Sequence, residues 1–325
     1  MIDGPFPKTP DEEAFLQQIA SDASLAEISI ALGMRHWSPD ASVQRKAVVH
    51  ASNAASLIIQ RIKTDTAHEA AVLGAVLSMA IGERLLNNVP VWNIHIDGLA
   101  KMITERRVHG TPDLPQLVTA FMIIDSTNYV FDYPLGYHQK VIDAIRPYGH
   151  RPLADVSAIS EDLIQFRKLV DIHRKFPHSS YRVQQILQDR DSLLRRVRAL
   201  RSEDDQYIQV TALAMELTLY LTWSPLPDST LNLTPVAGRL WEAMNNLPVR
   251  PCMFMDLASC PLMLGAVAAD EGSEVRDWFV TRIRKAVETL KSRGWRRPLE
   301  VLERAFTPDD GLVSRFRALW REIDS

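Results

Sequence analysis

The stretch TAHEAAVLGAVLSMAIGERLLNNVPVWNIHIDGLAKMITERRVHG, residues 66–110, holds two helical patterns separated by a short proline-bearing break. In the first, Val72, Leu73, Val76, Met79 and Leu86 recur at the spacing of one helix face, and Thr66 and Glu69 stand at capping-box spacing. In the second, Trp92, Ile96, Leu99 and Ile103 share a face, while His95, Leu99, Met102 and Arg106 form the adjacent stripe. So short a connection predicts antiparallel neighbours. His95 is then expected at the edge of the buried side, within reach of Glu83 at the end of the preceding helix, with Asp97, Arg106 and Arg107 toward solvent. These residue types allow His95 a role as general base or ligand hydrogen-bond donor. They equally allow a histidine satisfied by its neighbouring helix.

The same pattern extends in both directions. Ser38, Ser160 and Ser202 each precede an amphipathic run and read as N-caps, Ser38 with Pro39 in the first helical position. Proline-bearing breaks such as RPYGHRP, WSPLPDSTLNLTP and NNLPVRP recur at helix-sized intervals, and no stretch alternates with period two. The fold class is therefore all-α: a single-domain array of antiparallel helices, about a dozen or more in number. Residues 1–37 are expected to form an N-terminal helical extension and 38–325 the main helical domain. The stretch RPYGHRPLADVSAIS is the best candidate for an internal border, although one continuous core is the expectation.

Composition excludes several classes. The 325 residues are 46% hydrophobic and 24% charged, in the range of a chain that buries a core. A formal charge of −3 supplies no overall field for nucleic acid or an anionic membrane. The apolar runs AAVLGAVLSMAIG and ASCPLMLGAVAA fall short of the roughly 18–20 residues that span a bilayer. With two cysteines, Cys252 and Cys260, no disulfide framework is possible, and the N-terminal residues carry no signal-peptide pattern. An intracellular site, cytoplasmic or nuclear, is expected. The arginine-rich RDSLLRRVRALR is followed directly by acidic SEDD and reads as a solvated helix face.

GERLLNN, then WNIHIDGLAKMITERRVHG, then the distant CPLMLGAVAADEGSEVRDWFVTRI and terminal FRALWREID together resemble the regulatory domain of fungal-specific transcription factors, the ligand-sensing helical region that follows a zinc-cluster DNA reader. The matching positions are Glu83, Trp92, His95, Gly98, Leu262, Gly265, Arg276 and Trp278. Where that family commonly has tryptophan before proline, this chain has Cys260–Pro261. The resemblance implies a module that binds a small hydrophobic metabolite or another protein. A zinc-cluster reader needs six thiolates, so a chain with two cysteines is expected not to read DNA by itself.

Catalytic motifs are absent. There is no G-x-S-x-G elbow, H-E-x-x-H, P-loop or dinucleotide fingerprint, and the paired aspartates of SEDDQY and TPDDGL sit at helix starts, where they cap. Neither a metal nor a cofactor is expected. The enzymatic alternative is a cofactor-independent isomerase or cyclase, for example of Diels–Alder type, folding a polyene or terpenoid of fungal secondary metabolism into a reactive shape. Its candidate polar groups are His95, Glu83 and Asp256, the last a carboxylate inside an apolar run. Either function calls for an apolar pocket, expected around Trp223, Met253, Met255, Cys260 and Met263.

Overall fold

A computed structural model describes residues 9–86, 88–111, 113–131, 138–177, 180–223, 232–249, 256–303 and 310–324. Among them every regular element is helical, with fifteen α-helices, a single 3-10 turn and no strand. The all-α expectation holds. Met253, Met255 and Cys252 lie outside the described residues, and Asp256 is described by its backbone alone.

By contact density the chain falls into two compact units. Unit 1 comprises residues 1–122, 135–154 and 289–298, and unit 2 comprises 123–134, 155–288 and 299–325. One division point, after Ala154, falls inside the RPYGHRPLADVSAIS stretch.

Unit 1 contains α1 (Pro10–Ser21), α2 (Ala23–Trp37), α3 (Ala41–Lys63), α4 (Ala70–Leu85), α5 (Val89–Val108) and α7 (His138–Ile145), with the start of α6 (Gln116–Phe131). Helix α2, part of the expected N-terminal extension, packs extensively on α3 and also on α4. Helices α4 and α5 pack along their length, and Arg106 near the end of α5 donates to the His68 carbonyl just before α4, at 2.8 Å. The pair therefore runs antiparallel, as the short connection requires. Trp92, Ile96, Leu99 and Ile103 are all buried, as the helical wheel predicts. Arg106 is half-buried rather than solvent-facing, and Leu86 is 49% exposed because α4 ends one residue earlier. The segment 289–298 closes on α2: the Arg293 guanidinium lies 3.1 Å from the Trp37 ring centre, and the Trp295 indole donates to the His36 carbonyl at 3.2 Å.

Unit 2 is built around α10 (Gln206–Thr222), which is buried on nearly every side, as an apolar helix without a polar face must be. Against it pack α9 (Ser180–Leu200), α11 (Thr234–Asn245), α12 (Asp256–Ala268) and α15 (Asp310–Asp324). Helices α8 (Arg151–Lys175), α13 (Glu274–Ser292) and α14 (Pro298–Glu303) complete the described elements.

Several helix starts differ from the expected ones, and in two of them a carboxylate outcompetes a hydroxyl. Asp40 caps α3, accepting from the backbone N–H groups of Ser42 at 2.7 Å and Val43 at 3.3 Å, while Ser38 ends α2. The Ser42 hydroxyl and these two amides hold the Asp40 carboxyl below its usual range. Asp205, not Ser202, caps α10. Ser160 is interior to α8, its hydroxyl donating back to the Val156 carbonyl. The Thr66–Glu69 capping box does not form, because the Glu69 carboxylate pairs with Arg61 at 2.7 Å. A complete capping box does occur at Thr9–Glu12, ahead of α1.

Candidate functional site

Glu83 and His95 belong to unit 1. The Glu83 carboxylate takes a hydrogen bond from the Asn88 side chain at 2.7 Å and one from Arg35 of α2 at 3.5 Å. The backbone N–H of Asn88, the residue before α5, donates to the Glu83 carbonyl at 2.9 Å. Gly82 makes room for this clamp, since a Cβ there would meet the Arg35 guanidinium and Leu32 at 3.0 Å. Glu83 thus joins three elements: α2, the end of α4 and the start of α5. His95 is half-buried rather than buried. Burial disfavours its charged form and the Glu83 carboxylate opposes that through space, with a net lowering from the ordinary histidine value. The expected coupling of the two residues is electrostatic.

The remaining described candidates, Trp223, Cys260 and Met263, belong to unit 2. Cys260 and Met263 of α12 are each 1% exposed. The Cys260 thiol points to the Thr127 carbonyl at 3.7 Å, and burial pushes it far above the usual thiol range against the weaker pull of Arg167. Such a thiol is a packing group, not a nucleophile. Trp223 follows α10 and is half-buried, its ring meeting that of His173 edge-on at 5.2 Å between centres. His173 lies near the end of α8 and is 7% exposed. The Trp223 Nε1 and the His173 Nδ1 are both buried, and neither has a hydrogen-bond partner among the described residues. Beside them Arg174 donates to the Thr222 carbonyl at 2.6 Å. Its guanidinium occupies the space where a Cβ on Gly311 would fall.

Sequence reasoning missed His173, because a histidine between Ile172 and Arg174 in an ordinary amphipathic helix carries no local sign of its aromatic partner. It also missed a belt of four consecutive buried polar residues on α6, Asp125 to Asn128. Their neighbourhood is held by long-range bonds: the Thr211 hydroxyl donates to the Ile123 carbonyl at 3.0 Å, and the fully buried Arg167 donates to the Val130 carbonyl and covers the Phe131 ring. The arginine-rich run is largely ion-paired rather than free: Arg196 meets Asp162, and Arg198 and Arg201 both meet the buried Glu216.

The family positions noted in the sequence have structural tasks. Gly265 of α12 receives the ring of Phe279 from α13. Arg276 donates to the Ala266 carbonyl and to Glu322 of α15, tying three helices together. Trp278 lies against Trp241 of α11, with Arg282 over its ring at 4.2 Å. A family model described as the fungal specific transcription factor domain matches residues 3–305, nearly the whole chain. The chain belongs to the fungal-specific transcription factor domain family. No curated protein and no solved structure matches it. Three of the positions that carry the resemblance in the sequence of this fungal transcription factor domain, Glu83, Gly265 and Arg276, thus serve helix packing. Among the described residues no helix is long and apolar enough to cross a membrane.

Proposed function

We propose that this chain is the regulatory, ligand-sensing module of a transcription factor, acting in the nucleus or cytoplasm, and that unit 2 takes a small apolar metabolite at the Trp223–His173 pair. One observation carries this reading: an indole N–H and an imidazole nitrogen, on rings in edge-on contact and both buried, each without a hydrogen-bond partner among the described residues. Leaving a buried polar atom unpaired costs about 1–3 kcal/mol, a cost that a ligand removes when it brings the complementary group. Trp223 can only donate, so it suits a ligand carbonyl or ether oxygen; His173 donates or accepts according to its tautomer. The two aromatic faces suit an apolar skeleton. The net charge of −3 and the ion-paired arginine run support sensing rather than unaided DNA reading.

The test is a thermal-shift and calorimetric screen of the purified chain against apolar polyenes, terpenoids and lactones carrying one or two oxygens. Saturable binding is expected, weakened about tenfold in Trp223→Phe by loss of one buried hydrogen bond. Recovery of the bound compound unchanged fits a sensor; its conversion to an isomer would make the protein a cofactor-independent isomerase instead. Binding indifferent to both Trp223→Phe and His173→Gln would remove the pair as the site.

A further inference from the structure

Unit 1 brings together three side chains that the reading so far leaves without a task. Asp65 follows the end of α3, His68 lies in the connection to α4, and His109 ends α5. One ligand-type atom from each, a carboxylate oxygen and two ring nitrogens, falls within 4.8 Å of the others. The imidazoles of His68 and His109 stack almost parallel, 9° apart with centres separated by 4.2 Å, and His109 Nε2 lies 3.5 Å from the Asp65 carboxylate. We infer that Asp65, His68 and His109 form a binding site for one divalent transition-metal ion, with zinc the best match.

The chemistry selects the ion. Two imidazole nitrogens and one carboxylate are a borderline-soft set that suits zinc, cobalt or nickel, whereas calcium and magnesium call for oxygen alone. In a tetrahedral site with bonds of about 2.0–2.1 Å, neighbouring donors stand roughly 3.3–3.5 Å apart. The His109–Asp65 pair already has that separation. One donor atom of each residue already lies within 4.8 Å of the other two, so closing the third vertex takes only a short inward movement of the His68 ring. The fourth vertex is left for water.

The scaffold holds the donors from three directions. Asp65 is, among the described residues, the one non-glycine residue with positive φ, at 57°. That left-handed turn is pinned by Thr64 N–H to the Gln60 carbonyl and Thr66 N–H to the Arg61 carbonyl. The His68 carbonyl is fixed by Arg106, which reaches it from the same last turn of α5 that ends in His109. Arg106 is thereby a positioning residue: it sets the spacing of the two histidines while its charge is directed to the carbonyls of His68 and Asp113. A bound ion would staple the α3–α4 connection to the end of α5 inside unit 1.

The experiment uses the full chain with any polyhistidine tag removed, titrated calorimetrically with Zn²⁺. One ion per chain in the micromolar range is expected, with a rise in melting temperature of about 2–4 °C at saturating zinc. His109→Gln, His68→Gln and Asp65→Asn should each weaken binding by about tenfold or more, while His50→Gln, distant in sequence and already paired with Glu27, keeps the parent affinity. Circular dichroism checks the fold of each variant. Should one fail to fold, Co²⁺ added to the parent protein decides, since paramagnetic shifts confined to the His68 and His109 ring resonances support the site. No one-to-one binding, binding unchanged in all three variants, or shifts centred on other histidines would overturn it.

Discussion

The ring of Phe279 rests on the backbone of Gly265: a Cβ built on the glycine would stand 2.3 Å from Cζ and 2.5 Å from Cε1. Neither partner has room to yield, since Phe279 is fully buried. Gly265→Ala gains helix propensity of roughly 1 kcal/mol, yet the overlap forces the ring to move, and overpacking of this kind costs about 1–3 kcal/mol. Net destabilisation is expected in urea unfolding. Phe279→Leu in the same chain should recover part of it, so that the double variant loses less than the sum of the single ones. A Gly265→Ala protein as stable as the parent would refute the contact.

Glu216 is 1% exposed and lies within 3.0 Å of two arginines, Arg198 and Arg201. The carboxylate is buried but the guanidiniums are only partly so, which makes the acid the dependent member. Glu216→Gln should cost about 1.5–3 kcal/mol through loss of two charge-assisted bonds. Arg198→Ala and Arg201→Ala should each cost less, because the other arginine stays in place and water replaces the missing one. Denaturant midpoints give the ranking, and an arginine variant weaker than Glu216→Gln would reverse the argument.

The helical pair α4–α5 was legible in sequence because its apolar spacing is a local property, and Trp92, Ile96, Leu99 and Ile103 all face inward as expected. The caps were less legible. A serine before an amphipathic run looks like a cap whether or not a nearby aspartate takes the amides, as Asp40 and Asp205 do. The candidate sites were least legible of all. His173 meets Trp223 across two helices, and Asp65 and His68 meet His109 only because α4 and α5 run antiparallel. No spacing rule contains such pairings. Glu83 lies between these cases: its motif singled it out as a partner for His95, whereas the residues that hydrogen-bond its carboxylate are Arg35 and Asn88.

Cys260 should be silent to thiol reagents in the folded protein. It is 1% exposed, and burial has raised the thiol so that the reactive thiolate is scarcely populated at neutral pH. Peptide-level mass spectrometry after iodoacetamide treatment should show this cysteine unmodified in buffer and fully modified in denaturant. Cys260→Ala should cost about 1 kcal/mol, the loss of a small buried group and a weak bond to the Thr127 carbonyl. Modification of native Cys260 at the rate of a free thiol would mean that α12 opens readily.

His95 gives the chain a pH dependence whose sign follows from its surroundings. Burial lowers its affinity for a proton below that of an ordinary histidine, and the Glu83 carboxylate only partly offsets this. The unfolded chain therefore takes up its proton at higher pH than the folded one, and acid favours unfolding. The contribution of His95 is complete above about pH 6.5 and is lost as pH falls through that value toward the lower folded one. Asp22 acts in a separate window. Burial alone would raise its carboxyl, but hydrogen bonds from Ser24 and Leu25 together with Arg61 outweigh that and lower it, so its contribution is lost only in stronger acid, below the usual carboxylate value. The difference between parent and His95→Gln stabilities, measured by urea unfolding from about pH 7.5 to 5, should isolate the histidine, with the variant the flatter of the two. Following the His95 ring by NMR should give a midpoint below 6.5, and Glu83→Gln should move it lower still, because the charge that opposed burial is gone. A midpoint at the ordinary value would show that the ring is solvated, and one above it, or one that rises in Glu83→Gln, that the ring is paired in another way.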